Sequence, residues 1–275
     1  MKPDPKIGEP AVTGRTGTRP RPPVRKASSL VFFFIRATLR PALFLLYRFS
    51  FDMKSSKAVS RPCLILCNHQ TGFDQFAVSV GFRFGINFVA TDTIFRHGIL
   101  SKLMVLLTRP IPFSKGNSDL VALRNMMGVI KSGGCVGMFP SGNRCLYGDE
   151  CRIVPGIGKL AKKFAVPLVL MRIEGGFNTL ARWRVKRNVG KVTAAVTKVL
   201  QPDELAVMSP AEVDSVIQSE LGFDEFAWNK TAGVVFRGRR RAEYLESVLF
   251  FCPQCNRMPP PRGGASFRRQ RVFLP

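Results

Sequence analysis

Leu64-Ile65-Leu66-Cys67-Asn68-His69-Gln70-Thr71-Gly72-Phe73-Asp74 joins an apolar run, short enough for a buried strand, to a histidine and an aspartate five positions apart. On one unbroken helix, residues five apart point about 140° away from each other, so the two side chains would not meet. They meet only across a bend, and Gln70-Thr71-Gly72 supplies one. The stretch therefore predicts strand, turn and helix, with His69 at the strand end facing Asp74 in the first helical turn. A histidine held by a carboxylate is a general base with its orienting partner. A loop histidine satisfied by a neighbouring carboxylate is the plainer reading of the same residues.

A second element, about seventy residues on, favours the catalytic reading. Cys135-Val136-Gly137-Met138-Phe139 is another buried-strand run, and Pro140-Ser141-Gly142-Asn143-Arg144 turns at its end and carries one arginine. Sites in open α/β sheets form at the carboxyl ends of strands. Two such ends, one with a base and one with a cation suited to phosphate, predict a single cleft.

In order and spacing these elements resemble the glycerolipid acyltransferases, the family that includes 1-acyl-glycerol-3-phosphate acyltransferase. Its signatures are Asn-His followed five later by Asp, matched by Asn68, His69 and Asp74, and Phe-Pro-Glu-Gly-Thr-Arg, matched in part from Phe139 to Arg144. Two smaller blocks also resemble the family's. Ile111-Pro112-Phe113-Ser114-Lys115-Gly116-Asn117 looks like the block whose basic residue holds substrate phosphate, and Val166-Pro167-Leu168-Val169 like the Val-Pro strand near the acyl site. The likeness covers residues 30 to 200, and two departures matter: Ser141 stands where the family has glutamate and Lys115 where it has arginine.

What the resemblance implies is specific. The fold would be α/β, a mixed, mostly parallel sheet flanked by helices, preceded by an N-terminal pair of interfacial membrane helices. His69 and Asp74 would be catalytic, and Asn68, Lys115, Ser141, Gly142 and Arg144 would bind substrate, Arg144 and Lys115 gripping the acceptor's phosphate. The reaction would carry an acyl group from acyl-CoA or acyl-acyl carrier protein to the hydroxyl of a lysophospholipid, foremost 1-acyl-glycerol-3-phosphate, in phospholipid biosynthesis. Because a thioester is already activated, neither a covalent nucleophile nor a metal or other cofactor is required. Ser141 removes the carboxylate that would pair with Arg144, which allows a different acceptor.

Composition sets outer limits. A chain of 275 residues with 45% hydrophobic content can bury one α/β core with appendages. A formal charge of +24 calls for a polyanionic neighbour. An anionic membrane surface fits best, and the expected location is the cytoplasmic face of a membrane, peripheral or monotopic. Nucleic acid is the rival partner, but no recognition motif is present and the basic residues are scattered rather than set among aromatics. Seven cysteines without a regular framework suit a reducing compartment.

Four segments follow from this reading. Residues 1–29 hold six prolines, seven Lys or Arg and two acidic residues, and read as a disordered basic arm. Residues 30–52 are apolar but carry Arg36, Arg40 and Arg48 within an arc of about 120°. A spanning helix would bury those arginines at about 2.5–3.5 kcal/mol each, so helices lying in the interface are expected, two of them because Pro41 would divide the run. Residues 53–232 form the acyltransferase domain. Residues 233–275 are a basic tail in which Cys252 and Cys255 have the spacing of half a zinc ribbon, without the second pair that structural zinc needs.

Within the domain, strands are expected at 85–90, 166–173 and 191–200. Helices are expected at 99–107, 117–131, 155–164 and, from the capping box Ser209-Pro210-Ala211-Glu212, onward to about Leu221. Leu120, Leu123, Met127 and Ile130 form the expected buried side of the second of these helices. Lys159, Lys162 and Lys163 give the third a basic face, open to solvent, lipid headgroups or an acidic carrier. His97 reads as structural. The function of a different class that the sequence leaves standing is a non-catalytic basic protein binding anionic membrane or nucleic acid on the same fold.

Overall fold

The computed structural model describes residues 24–91, 105, 108–113, 120–149, 152–239, 244, 245 and 248. Among them are strands β1 (Phe49–Phe51), β2 (Cys63–Cys67), β3 (Ile86–Thr91), β4 (Ile111–Phe113), β5 (Cys135–Met138), β6 (Leu168–Glu174) and β7 (Val192–Leu200). They form one sheet in the order β1-β7-β6-β2-β5-β3-β4. Every neighbouring pair is parallel except β6 with β7. This is the mixed, mostly parallel sheet that the sequence predicts.

Burial of β2 on both faces explains its unbroken apolar run. Cys63, Ile65 and Cys67 point into one core layer with Phe32 and Leu43 of α1 (Ser29–Tyr47) and Ala77 of α2 (Asp74–Ser79). Leu64 and Leu66 point into the other, against α3 (Leu120–Lys131), α4 (Ile157–Phe164) and α7 (Pro210–Leu221). The remaining helices are α5 (Gly176–Thr179), α6 (Pro202–Val207) and α8 (Glu225–Ala232). The capping box at Ser209 starts α7 as expected, and an unanticipated second one at Gln201 and Glu204 starts α6.

The expected pair of N-terminal helices is one continuous helix, α1, with Pro41 inside it. Pro41 is exposed, and the helix runs through it to Tyr47 despite the backbone hydrogen bond it cannot donate. Arg48 is not on the helix at all. It is the left-handed residue, φ 48°, that ends α1 before β1. Arg36 is engaged with the domain, its Nη1 donating to the Phe82 carbonyl at 3.0 Å.

The basic arm read from the sequence gives way before residue 29. Ala27 is buried, and its N–H donates to Asn87 Oδ1 at 2.8 Å. The buried amide of Asn87 in turn donates to the carbonyls of Arg25 and Arg109.

Two further expectations are adjusted. On α3 the buried side is Ala122, Met126, Val129 and Ile130, while Leu120 is exposed and Leu123 and Met127 only flank the core. Ile130 belongs to both rows, so the buried arc is displaced by less than one residue's turn of about 100°, with Leu123 and Met127 at its edge. On α4 the basic face is partly engaged within the protein, because Lys162 donates to the carbonyls of Ala206 and Met208 at the end of α6. His97, Lys115, Cys252 and Cys255 lie outside the described residues.

Candidate active site

The parallel register of β2 and β5, with Leu66 opposite Met138, brings the carboxyl ends of the two motif strands side by side. The His69 ring stacks on Phe139 at 4.3 Å between centroids, and the Cys145 N–H donates to the His69 carbonyl at 2.8 Å. The second motif is thus fastened to the first. Its turn depends on Gly142, whose φ of +67° lies in the left-handed region that glycine enters without strain.

The His69–Asp74 meeting takes the predicted form. Asp74 opens α2 and is fully buried. Its Oδ2 receives the His69 Nδ1 at 2.7 Å, the Gln70 N–H at 2.7 Å and the Thr71 N–H at 2.8 Å, and its Oδ1 receives the Thr71 hydroxyl. Four converging donors are the environment of a carboxylate. A carboxylate has no proton to give, so Nδ1 of His69 carries the hydrogen and Nε2 keeps its lone pair. The imidazole is 20% exposed, enough to meet a substrate.

What it faces is a cavity of about 780 Å³. Phe32, Ile35 and Leu39 of α1, Phe76 of α2, Phe88 and Val89 of β3 and Phe113 of β4 make most of it apolar. Its polar portion holds His69, Gly142, Asn143, Arg144 and Arg182. Arg144 sits over the first motif's turn, where a Cβ placed on Gly72 would lie 3.7 Å from Arg144 Nη1. An apolar channel with a base and two guanidinium groups suits a ligand with a hydrocarbon chain and an anionic head.

The residues read from the sequence are not equivalent. His69, Gly142 and Arg144 line the cavity. Asn68, expected to touch substrate, spends its amide on β6 instead: Oδ1 accepts from the Ile173 N–H and Nδ2 donates to the Ile173 carbonyl, both at 2.8 Å. It is buried and fixes the end of β2, so its part is placement of the next residue, His69. Ser141 donates to the Asn143 carbonyl at 2.9 Å and braces its own turn.

Two residues escaped the sequence reading. Arg182 reaches the cavity from the segment after α5, where only a run of scattered basic residues marked it. Glu225 is fully buried at the start of α8, beneath the first motif. Burial pushes its carboxyl up to about 7, against the downward pull of hydrogen bonds from Asn178, Gln70 and Gly175. Asp224, which caps α8, was the available signal for that helix. Among the described residues no group of three or more His, Cys, Asp or Glu is placed to hold a metal ion.

Comparison with known proteins agrees with this geometry. A family model described as Acyltransferase matches residues 48–174, the span that contains β1 to β6, His69, Asp74 and Arg144 but neither Arg182 nor Glu225. No curated protein matches the chain. Among solved structures, the fold is similar to the crystal structure of the 1-acyl-sn-glycerophosphate (LPA) acyltransferase PlsC from Thermotoga maritima. The TM-score is 0.60 at 18% sequence identity, over 73% of this chain and 79% of that one.

Proposed function

We propose that this chain, whose residues 48–174 match the Acyltransferase family model, transfers a fatty acyl group from a thioester to the hydroxyl of a lysophospholipid. The observation that carries this reading is the His69–Asp74 pair opening onto an apolar cavity whose polar portion holds Arg144. Nε2 of His69 takes the proton of the acceptor hydroxyl as its oxygen attacks the thioester carbonyl. The carbon–sulfur bond then breaks, and the imidazolium returns the proton to the departing thiolate. Asp74 holds the Nδ1–H tautomer and stabilises the imidazolium between those steps.

The apolar part of the cavity takes the hydrocarbon chain and Arg144 the acceptor's phosphate, whose oxygens match a planar guanidinium in two-point contact. Lysophosphatidate is the first acceptor to test. Ser141, turned into its own loop, leaves Arg144 without the carboxylate found at that position in the family, so other phosphate-bearing lysophospholipids follow. The deciding assay offers purified protein acyl-CoA and acyl-acyl carrier protein with a panel of lysophospholipids. Transfer to none of them, from either donor, would move the chain to the non-catalytic class. Arg144→Ala is expected to raise acceptor KM by about 1.5–3 kcal/mol, or roughly 10- to 100-fold, with smaller change in kcat. An unchanged KM would remove Arg144 from the phosphate.

Membrane attachment belongs to the same proposal. The helix α1 is long and apolar enough to cross a bilayer by length and composition, but one side of it is packed on the domain through Phe32 and Leu43. The opposite side presents Leu30, Phe33, Phe34, Phe44 and Leu45, all exposed. An apolar face turned outward beside a packed one suits a helix lying in the interface, with the chain's positive charge drawing it to anionic lipid. Replacing Phe44 and Leu45 together with glutamate should weaken binding to anionic vesicles at least about 10-fold while leaving the melting temperature in place. Binding that survives this double substitution, or a chain shown by protease protection to cross the bilayer, would overturn the in-plane reading.

A further inference from the structure

We propose that Glu225 is a positioning residue for the His69 base, holding the turn of the first motif through the side chain of Gln70. It acts from α8, outside the span that matches the acyltransferase family.

Glu225 takes part in a closed set of hydrogen bonds. Its Oε2 accepts from Gln70 Nε2 at 3.0 Å and from the Gly175 N–H at 3.1 Å, and its Oε1 accepts from the Asn178 N–H at 3.0 Å. The other end of the Gln70 amide, Oε1, accepts from the Gly176 N–H at 3.1 Å. Held as donor on one side and acceptor on the other, that amide has one orientation. The backbone N–H of Gln70 donates to Asp74 Oδ2, the same oxygen that meets His69 Nδ1. Glu225 is therefore linked to the catalytic pair by two hydrogen bonds through one residue, Gln70, which lies 155 positions away from it in sequence.

A purely structural role is a poor match to these partners. Its hydrogen-bond partners are two backbone amides and one side-chain amide, all neutral, so no cation among them offsets the burial that raises its carboxyl. An apolar side chain would anchor α8 with less penalty. A buried carboxylate is warranted where an amide one residue from the base must be kept from turning.

The test compares Glu225→Ala and Glu225→Gln with Asp224→Ala in the full chain. Asp224 caps the same helix, accepting from the Phe226 N–H at 2.8 Å and the Ala227 N–H at 2.9 Å, and its bonds do not involve Gln70. The direct readout is the downfield proton resonance of the His69 Nδ1–H, assignable through His69→Ala because the chain has two histidines. Glu225→Ala should shift or broaden this resonance and lower kcat roughly 10- to 100-fold with acceptor KM unchanged. Glu225→Gln keeps an oxygen for Gln70 Nε2 and the Gly175 N–H, turns its NH2 toward the Asn178 N–H at a cost in melting temperature, and should retain the resonance and most of the turnover. Asp224→Ala should lower the melting temperature and leave both readouts alone.

Should Glu225→Ala fail to fold, Gly176→Ala replaces it. A Cβ there would lie 2.5 Å from Gln70 Oε1 and displace the flexible amide from the opposite side, and the same loss is expected. The proposal is overturned if the Nδ1–H resonance is unchanged in Glu225→Ala, or if Asp224→Ala, at equal loss of melting temperature, costs as much turnover. Only the turnover readout rests on the proposed acyl transfer. A wild type without that activity would sink the function, while the resonance would still decide the role of Glu225.

Discussion

His69→Ala is expected to lower turnover by about 10²–10⁴-fold, the contribution typical of a positioned general base, equivalent to roughly 2.7–5.5 kcal/mol of barrier. The loss should fall on kcat with acceptor KM nearly constant, because Nε2 takes on its proton only as the hydroxyl attacks. The fold should survive. The imidazole is partly exposed and its packing partner is the ring of Phe139, so the substitution opens no closed core cavity. The measurement is a steady-state comparison with the melting curve of the same preparation. Full turnover in the variant would end the mechanism, whatever Arg144 does. Residual rate above background is expected, since the cavity still brings thioester and acceptor together.

The parts of this site that the sequence made legible are those fixed by short-range geometry. From Leu64 to Asp74 the apolar run, the bend and the five-residue spacing force a strand-end histidine to meet a helix-start carboxylate, and that is how His69 and Asp74 stand. The pairing of β2 with β5 could be expected from two buried-strand runs ending in functional turns. What stayed hidden depends on faces and on distant chain. Pro41 predicts a break, yet α1 continues through it with its flanking residues Phe32 and Leu43 packed on the domain. The buried row of α3 includes the small Ala122 and leaves the larger Leu120 exposed, which a reading by residue size does not foresee. Asn68 reads as a ligand of substrate until Ile173 is seen to occupy both ends of its amide. Glu225 and Arg182 approach the motif through the third dimension, and no spacing in the sequence encodes that approach.

The motif residues also differ in how they are held. Asn68 uses side-chain bonds to fix the strand end, Gln70 to fix the turn, and Cys145 uses its backbone to tie down the His69 carbonyl. His69 itself has its Nδ1 engaged and its Nε2 left for chemistry. A base whose neighbours are all anchored loses little entropy on reaching the transition state, which is the purpose of preorganisation around a reacting group.

Asp74 is where that arrangement can be cut in two different ways. In Asp74→Asn the oxygen can stay on Oδ2's three N–H donors, those of His69, Gln70 and Thr71, while the new NH2 faces the Thr71 hydroxyl, which can accept as well as donate. Most of the local bonding survives, so the melting temperature should fall by only a few degrees. The negative charge does not survive, and with it goes stabilisation of the imidazolium. Turnover should therefore drop by about 10²–10⁴-fold, the range of a general base that loses its effect. Asp74→Ala acts on the fold first. It leaves three buried donors of Gln70 and Thr71, and the partly buried His69 Nδ1–H, without an acceptor, at about 1–3 kcal/mol for each that water cannot reach, a large share of the stability of a whole domain. Thermal melts and turnover measured together on the two variants separate charge from scaffold. If Asp74→Asn kept full turnover, the charge of Asp74 would be dispensable, its part would be to hold the turn and the Nδ1–H tautomer, and the imidazolium would need another source of stabilisation.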